Sequence, residues 1–355
     1  MKNEFRPVFR GYGRAVYVTN DGTLYRAHHY DAFRSTDEGE TWRRIVSIPR
    51  PLNRKMIEPF RLLCRLLRHE VRAFVPLKSG GYVAATRTGV FYARPEDYLM
   101  NKSKIENSVY PPQYPMTMCY DTSGRVIWGE YWYNAERRGV RLYASDDNGQ
   151  SFHAVHTFEP GETRHVHNII YDKCLNKFWV FTGDHETDPG IGLLDTDFSQ
   201  FEWVHKGEQK YRAVWAFNLG DSLVYATDTE KESNAIYLIN KDTAKTEHLQ
   251  NIDGSCIYAT RFGKYYAIST TAEPVNSNGK VKNPMNSSIW ISDNAFDWKK
   301  VYTATKDLSA SYWSYKYFQF GSIVLPVGAC EQNRLMFSGQ ALKGIDGKVY
   351  TMELE

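Results

Sequence analysis

An all-β fold of repeated antiparallel units is what this sequence predicts, on three observations. Aromatic residues make up 15% of the 355, with 25 Tyr, 18 Phe and 9 Trp, and such side chains favour pleated, half-buried surfaces. A pattern of strand, Gly-containing turn, strand, polar linker and strand recurs, beginning near Gly13, Val71, Tyr114, Arg164, Tyr211, Ser255 and Tyr312. Spread over the chain, the units come at about 51 residues each, close to the ~40–50 of a propeller blade of four short strands. The predicted architecture is therefore a β-propeller of four-stranded blades, seven favoured and six possible, filling residues 1–355 as one domain.

In the first unit Ala15-Val16-Tyr17-Val18 reads as a central strand and Asn20-Asp21-Gly22 as its turn. Ser79-Gly80-Gly81, Ser123-Gly124, Leu219-Gly220, Phe262-Gly263 and Phe320-Gly321 repeat that turn, glycine supplying the positive φ a hairpin needs. Val126-Ile127-Trp128 and Ile323-Val324-Leu325 are further central strands. Residues 53–70 break the pattern. Leu62, Leu63, Leu66 and Leu67 share one helical face and Arg61, Arg65 and Arg68 another, which predicts an amphipathic helix inserted between blades one and two. Such a helix either packs on the propeller side or, through residues 54–69, rests on an anionic membrane or docks a partner.

Forty-four Lys and Arg against 41 Asp and Glu give a net charge of +3, too little to argue for a nucleic-acid partner. The five cysteines, Cys64, Cys119, Cys174, Cys256 and Cys330, have no ligand spacing and read as buried thiols of a reducing compartment. With no apolar segment at the N-terminus or elsewhere long enough to span a membrane, a cytoplasmic protein is expected. No HExxH, P-loop, nucleophile elbow or dinucleotide fingerprint occurs, so no cofactor is expected other than a divalent metal.

Two segments carry a sharper pattern, Ser35-Thr36-Asp37-Glu38-Gly39-Glu40-Thr41-Trp42 and Ser145-Asp146-Asp147-Asn148-Gly149-Gln150-Ser151-Phe152. In each, Asp can accept local backbone N–H bonds, Gly can take the left-handed position and the aromatic can plug the gap between strands. A third, Asp293-Asn294-Ala295-Phe296-Asp297-Trp298, keeps Asp and Trp with Ala295 in the glycine position. The pattern resembles the Asp-box of sialidase-like (BNR-repeat) β-propellers. That resemblance implies a carbohydrate-active enzyme, a glycoside hydrolase that holds a carboxylate-bearing sugar with arginines. Two features depart from it. The F/Y-R-I-P motif of sialidases is represented by Phe5-Arg6-Pro7, without Ile, and sialidases have six blades where seven are counted here.

In a propeller, residues at equivalent positions of the inner strands converge on one mouth of the channel. Eight residues before the turn glycine stand Arg14, Arg72 and Arg212, and blade four opens with Arg164. Planar guanidinium donors at one register suit a substrate carboxylate, or they pair with acidic neighbours and hold blades together. The second strands end in polar groups, among them Glu130-Tyr131, Asp184-His185 and Asp228. Glu130, Asp184 and Asp228 are acid/base candidates, and Tyr131 and His185 candidate substrate contacts. His165 and His167, two apart on a strand, face the same way. They could be acid/base groups, ligands of a divalent metal, or channel residues satisfied by hydrogen bonds. Glu162-Thr163-Arg164-His165-Val166-His167 also resembles the Q-x-x-H-x-H manganese site of oligogalacturonate lyases, with Glu162 replacing Gln. That similarity implies a metal beside a substrate carboxylate and cleavage by β-elimination. The leading expectation is hydrolysis of an acidic oligosaccharide or polysaccharide. A metal-assisted uronate lyase and a propeller that only binds glycan or protein are the alternatives.

Overall fold

The computed structural model describes residues 6–106, 110–185, 187–277, 280–282, 284–309 and 311–354. The chain is all-β, with 50% of residues in strands and 6% in helices. It divides into two compact units, one of residues 1–70, 230–236 and 249–355, the other of residues 71–229 and 237–248. Phe5 of the Phe5-Arg6-Pro7 motif lies outside the described residues.

In the first unit Arg14–Val18, Leu24–His28, Asp31–Ser35 and Arg43–Ser47 form an antiparallel sheet in chain order. Cys256–Phe262, Tyr265–Ala272, Asn286–Ser292 and Lys299–Thr305 form another. Gly321–Val324, Arg334–Gln340 and Lys348–Glu353 are completed by Val8–Tyr12, so the first strand of the chain pairs with the last. Strand alternation sends Val18, Leu24, Phe262, Ile289, Phe337 and Val349 into one apolar core.

The second unit holds the sheet Ala73–Pro76, Tyr82–Thr86, Gly89–Ala93 and Asn101–Lys102. Cys119–Tyr120, Val126–Gly129, Val140–Ser145 and Ser151–Phe158 follow, then His165–Asp172, Lys177–Gly183, Gly190–Asp195 and Phe201–Lys206. Ala213–Asn218 pairs antiparallel with Ser222–Thr227. Ile127, Leu142, Phe158, Val166 and Phe178 fill the core between the second and third of these sheets.

The two Asp-box turns share one hydrogen-bond pattern. Ser35 Oγ donates to Asp37 Oδ1 at 2.7 Å, and Ser145 Oγ to Asp147 Oδ1 at 2.8 Å. Gly39 and Gly149 sit at φ +87° and +83°, where a Cβ would be strained. In the third turn the acceptor is Asn294, reached by Ser292 Oγ at 2.9 Å, rather than Asp293. Ala295 there takes φ +66°.

Two expected elements differ. The inserted helix is two short ones, Leu52–Met56 and Arg61–Leu66, because Pro59 lacks an N–H and disfavours helical geometry at Glu58. Its faces are inverted: Leu62, Leu63, Leu66 and Leu67 are exposed and Arg65 is buried. Arg65 Nε donates to the Phe318 carbonyl at 2.9 Å and its Nη1 pairs with Asp307, partners that let a guanidinium leave water. The second difference is Tyr312–Phe318, a helix where the seventh unit was expected to begin with a strand. Ser311 caps it by accepting from Ser314 N, and Trp313 stacks on Tyr317 one turn later. Gly321 accordingly begins a strand and is not a turn residue.

Candidate functional site

The site lies wholly in the second unit and starts from a local irregularity. His165 pairs with Gly183 and Val166 with Thr182, but Asn168 pairs with Phe181, leaving His167 as the extra residue of a β-bulge. The bulge still brings His167 Nε2 to 3.1 Å from His165 Nε2. Asp184, which follows the neighbouring strand, places Oδ1 3.2 Å from His165 Nε2 and 2.9 Å from His167 Nε2. Close approach of the two strands requires Gly183. A Cβ there would lie 2.3 Å from His167 Cε1.

The other nitrogen of each imidazole faces a carbonyl. His165 Nδ1 is 2.8 Å from Trp132 O, and His167 Nδ1 is 3.0 Å from Ala213 O. A carbonyl only accepts, so Nδ1 must carry the proton, and a neutral imidazole then presents an Nε2 lone pair. Burial pushes His167 below its ordinary value, against the pull of Asp184, which favours that neutral form. Burial alone would raise the Asp184 carboxyl, but His165, Arg212 and the close approach of His167 outweigh it and hold Asp184 well below the usual carboxylate range. Two nitrogen lone pairs and a carboxylate oxygen thus converge, all within 4.8 Å of one another.

Arg212 completes the electrostatics. Its Nη2 lies 3.1 Å from Asp184 Oδ1 and 3.7 Å from Asp228 Oδ2. Gln209 Nε2 donates to the Asp184 carbonyl at 3.0 Å, and Gln209 Oε1 accepts from Thr229 Oγ1 at 2.7 Å. The Tyr131 ring is 4.5 Å from the His165 ring, and the Arg72 guanidinium is 5.9 Å from the Tyr131 ring centre. Burial, with Asp184 and Asp228, pushes the Tyr131 phenol well above its ordinary value despite Arg72 and Arg212, so it stays protonated.

Seven of the residues singled out from sequence therefore gather here: Arg72, Tyr131, His165, His167, Asp184, Arg212 and Asp228. His185 is half-buried in the turn after Asp184, its carbonyl accepting from Asp188 N. The others are engaged elsewhere. Arg14 sits in the first unit, where Nη2 donates to Tyr258 Oη at 3.0 Å and Nη1 to Gln340 Oε1 at 2.6 Å. Arg164 faces Asp188 at 3.7 Å and lies over the Tyr133 ring, so of the three aligned arginines of this unit Arg72 and Arg212 are the ones placed at the cluster. Glu130 is fully buried and grips Arg141, Oε1 accepting from Nη2 at 2.7 Å and Oε2 from Nε at 3.0 Å. Gln113 N takes a further share of Oε1. That buried pair is a structural clasp, which removes Glu130 from the acid/base set.

Sequence reasoning missed Gly183 and Gln209. Gly183 immediately precedes Asp184 at a strand end, which is a readable signal, whereas the Trp132 and Ala213 carbonyls leave no trace in residue type.

The donor set fits a divalent metal. Two imidazoles and one carboxylate on one side, leaving other positions open, are a recurring arrangement for first-row metals. Carbonyl acceptors on the distal nitrogens fix the tautomers as metal-binding histidines require.

No family model matches the chain, and no curated protein matches its sequence. Solved structures do. A catalytically inactive virginiamycin B lyase from Staphylococcus aureus bound to quinupristin aligns with TM-score 0.62 at 10% identity, over 99% of each chain. An oligogalacturonate lyase from Vibrio parahaemolyticus aligns with TM-score 0.61 at 10% identity, covering 100% of this chain and 92% of that one. An oligogalacturonate lyase in complex with manganese gives 0.61 at 8% identity over 98% and 90%. The chain thus has a β-propeller-like fold. These alignments do not support the sialidase-like resemblance of the Asp-box turns.

Proposed function

We propose that this chain is a metal-assisted lyase that cleaves a carboxylate-bearing substrate, an acidic oligosaccharide first among them, by β-elimination. The observation that carries the reading is the convergence of His165 Nε2, His167 Nε2 and Asp184 Oδ1 with both Nδ1 protons committed to carbonyls. We read the sheets as seven blades, with this cluster on one of the inner strands.

His165, His167 and Asp184 would hold the cation. A bound divalent metal polarises a substrate carboxylate and acidifies the neighbouring C–H. Arg212, held beside the donor set by Asp184 and Asp228, is our candidate to face the same carboxylate with its guanidinium charge. Asp228 is the carboxylate of the cluster outside the donor set and is our candidate to accept the proton from carbon. As the C–O bond on the next carbon breaks, Tyr131, kept protonated by burial, gives its proton to the leaving oxygen. The C–H electron pair becomes the new C=C bond, so no water or oxidant is consumed.

Support against the hydrolytic reading comes from the aligned structures, which are lyases, although their substrates differ. The test is mass spectrometry of the protein incubated with oligogalacturonates, other uronate oligosaccharides and quinupristin, with manganese and with a chelator. Fragments whose masses sum to the substrate, lost on chelation, are expected. Fragments summing to substrate plus one water would overturn elimination in favour of hydrolysis.

A further inference from the structure

We infer that the two short helices at residues 52–66, together with the helix Tyr312–Phe318, form a patch that docks the protein on an anionic membrane surface. The segments adjoin within the first unit: Arg65 Nε donates to the Phe318 carbonyl at 2.9 Å and Arg68 Nη2 to the Lys316 carbonyl at 3.4 Å. Burying Arg65 against Phe318 and Asp307 turns the leucines of the same helix outward. Leu52 is 73% exposed, Met56 67%, Phe60 59% and Trp313 64%, with Leu62 and Leu63 also exposed beside them. Large apolar side chains this exposed on adjoining segments mark an interaction surface.

Charge selects the occupant. Residues 52–70 carry Arg54, Lys55, Arg61, Arg65 and Arg68 against Glu58 and Glu70, and residues 311–320 carry Lys316 and no acid. The acids are turned inward. Glu58 faces Arg50 at 2.7 Å and His69 at 3.2 Å, Asp307 pairs with Arg65, and Glu70 accepts from Gln319 Nε2 at 2.8 Å. Lys55 and Lys316 reach solvent beside these apolar side chains, and their long stems can lie along an apolar surface with the charge at headgroup level. Trp313 stacked on Tyr317 supplies the amphipathic rings that settle at a membrane interface. Leu, Met and Phe on short helices with a cationic fringe match a hydrocarbon boundary under anionic headgroups. Attachment is peripheral, since among the described residues no helix is long and apolar enough to cross a bilayer.

Flotation of the full chain with phosphatidylcholine vesicles containing about one third phosphatidylserine tests this. Binding is expected, weaker on pure phosphatidylcholine and weaker at high salt, with a blue shift of emission that Trp313→Phe removes. Lys55→Glu with Lys316→Glu should weaken binding by at least about tenfold, each basic residue near such a surface being worth roughly fivefold. Leu52→Gln with Met56→Gln and Leu63→Gln should weaken it by a similar factor, and exposed positions leave the fold intact by circular dichroism. His167→Ala should float like the wild type, which separates this assignment from the lyase reading. Absence of flotation, or equal flotation of wild type and both surface variants, overturns the inference. Self-association that the apolar variant abolishes, without flotation, would also overturn it and give the patch to a second copy of the chain.

Discussion

One strand, His165–Asp172, carries a buried ionisable cluster at each end, and the two differ in how their lone pairs are met. At the far end Asp172 is fully buried and saturated. Oδ1 accepts from Cys174 N at 2.9 Å and Leu175 N at 3.1 Å, and Oδ2 from Trp179 Nε1 at 2.9 Å and Lys241 Nζ at 2.5 Å. Lys241 is completed by Asn218 Oδ1 and the Gly220 carbonyl, each at 2.6 Å. At the near end His165, His167 and Asp184 aim three acceptors at one point, and Arg212 lies against Asp184 while also facing Asp228. A saturated cluster stabilises the fold and has no remaining valence for a ligand. An acceptor-rich one leaves room for a cation, which is why we propose the metal site at the near end and a stabilising role for the far end.

The strongest way to break that division is to exchange the phenotypes. Asp184→Asn should weaken divalent metal binding by more than about 100-fold, beyond the range for residues that only orient ligands, and abolish turnover. The metal-free variant should lose less stability than Asp172→Asn does, since Arg212 keeps Asp228 as a partner when the Asp184 charge is removed. Isothermal titration with manganese and urea denaturation read the two effects separately. Asp172→Asn should do the reverse, costing roughly 3–5 kcal/mol by stranding Lys241 while the folded protein binds manganese normally. Metal affinity equal in wild type and Asp184→Asn would mean that the convergent lone pairs are met by a proton on a histidine.

A smaller effect sharpens the near end. Gly183→Ala adds a methyl 2.3 Å from His167 Cε1, so the ring must move away from Asp184. Metal affinity should fall about 10–100-fold, as when a ligand's orientation is lost, with a stability cost of about 1–3 kcal/mol from overpacking. Unchanged affinity would show that His167 has freedom the packing does not suggest.

How much of this was legible depends on whether a feature is written in residue type or in backbone geometry. The repeated strands and glycine turns were readable because alternation and positive φ constrain composition directly. Gly22, Gly80, Gly124 and Gly220 all take φ between +84° and +90°. His165 and His167 were readable as a pair because two apart on a strand means one face. That their proton positions are dictated by the Trp132 and Ala213 carbonyls was not, since any residue could supply those atoms. The arginine register overreached for a related reason. Arg164 has the right sequence position, but Asp188 arrives from a separate loop and draws it aside. Residues 53–70 misled most, because helical periodicity finds two faces without saying which is buried. Arg65 faces inward only because Asp307 and the Phe318 carbonyl, far off in sequence, are there to receive it.

The mildest test uses pH and probes the far end alone. Burial pushes the Asp172 carboxyl up, but hydrogen bonds from Lys241, Trp179 and the backbone prevail and hold it below its ordinary value in the folded protein. An unfolded chain titrates this group at about 3.9. Because the folded value is the lower one, the stabilisation is fully present above the unfolded value and is lost as pH falls through the folded one. The stability gap between wild type and Asp172→Asn should therefore stay constant from pH 7 down to about 5 and narrow only below about 4, as Asp172 itself takes up a proton. Urea midpoints across that range read the gap directly. A gap that narrows between pH 7 and 6 would instead point to histidine titration transmitted along the strand, and the two ends would have to be treated as one coupled cluster.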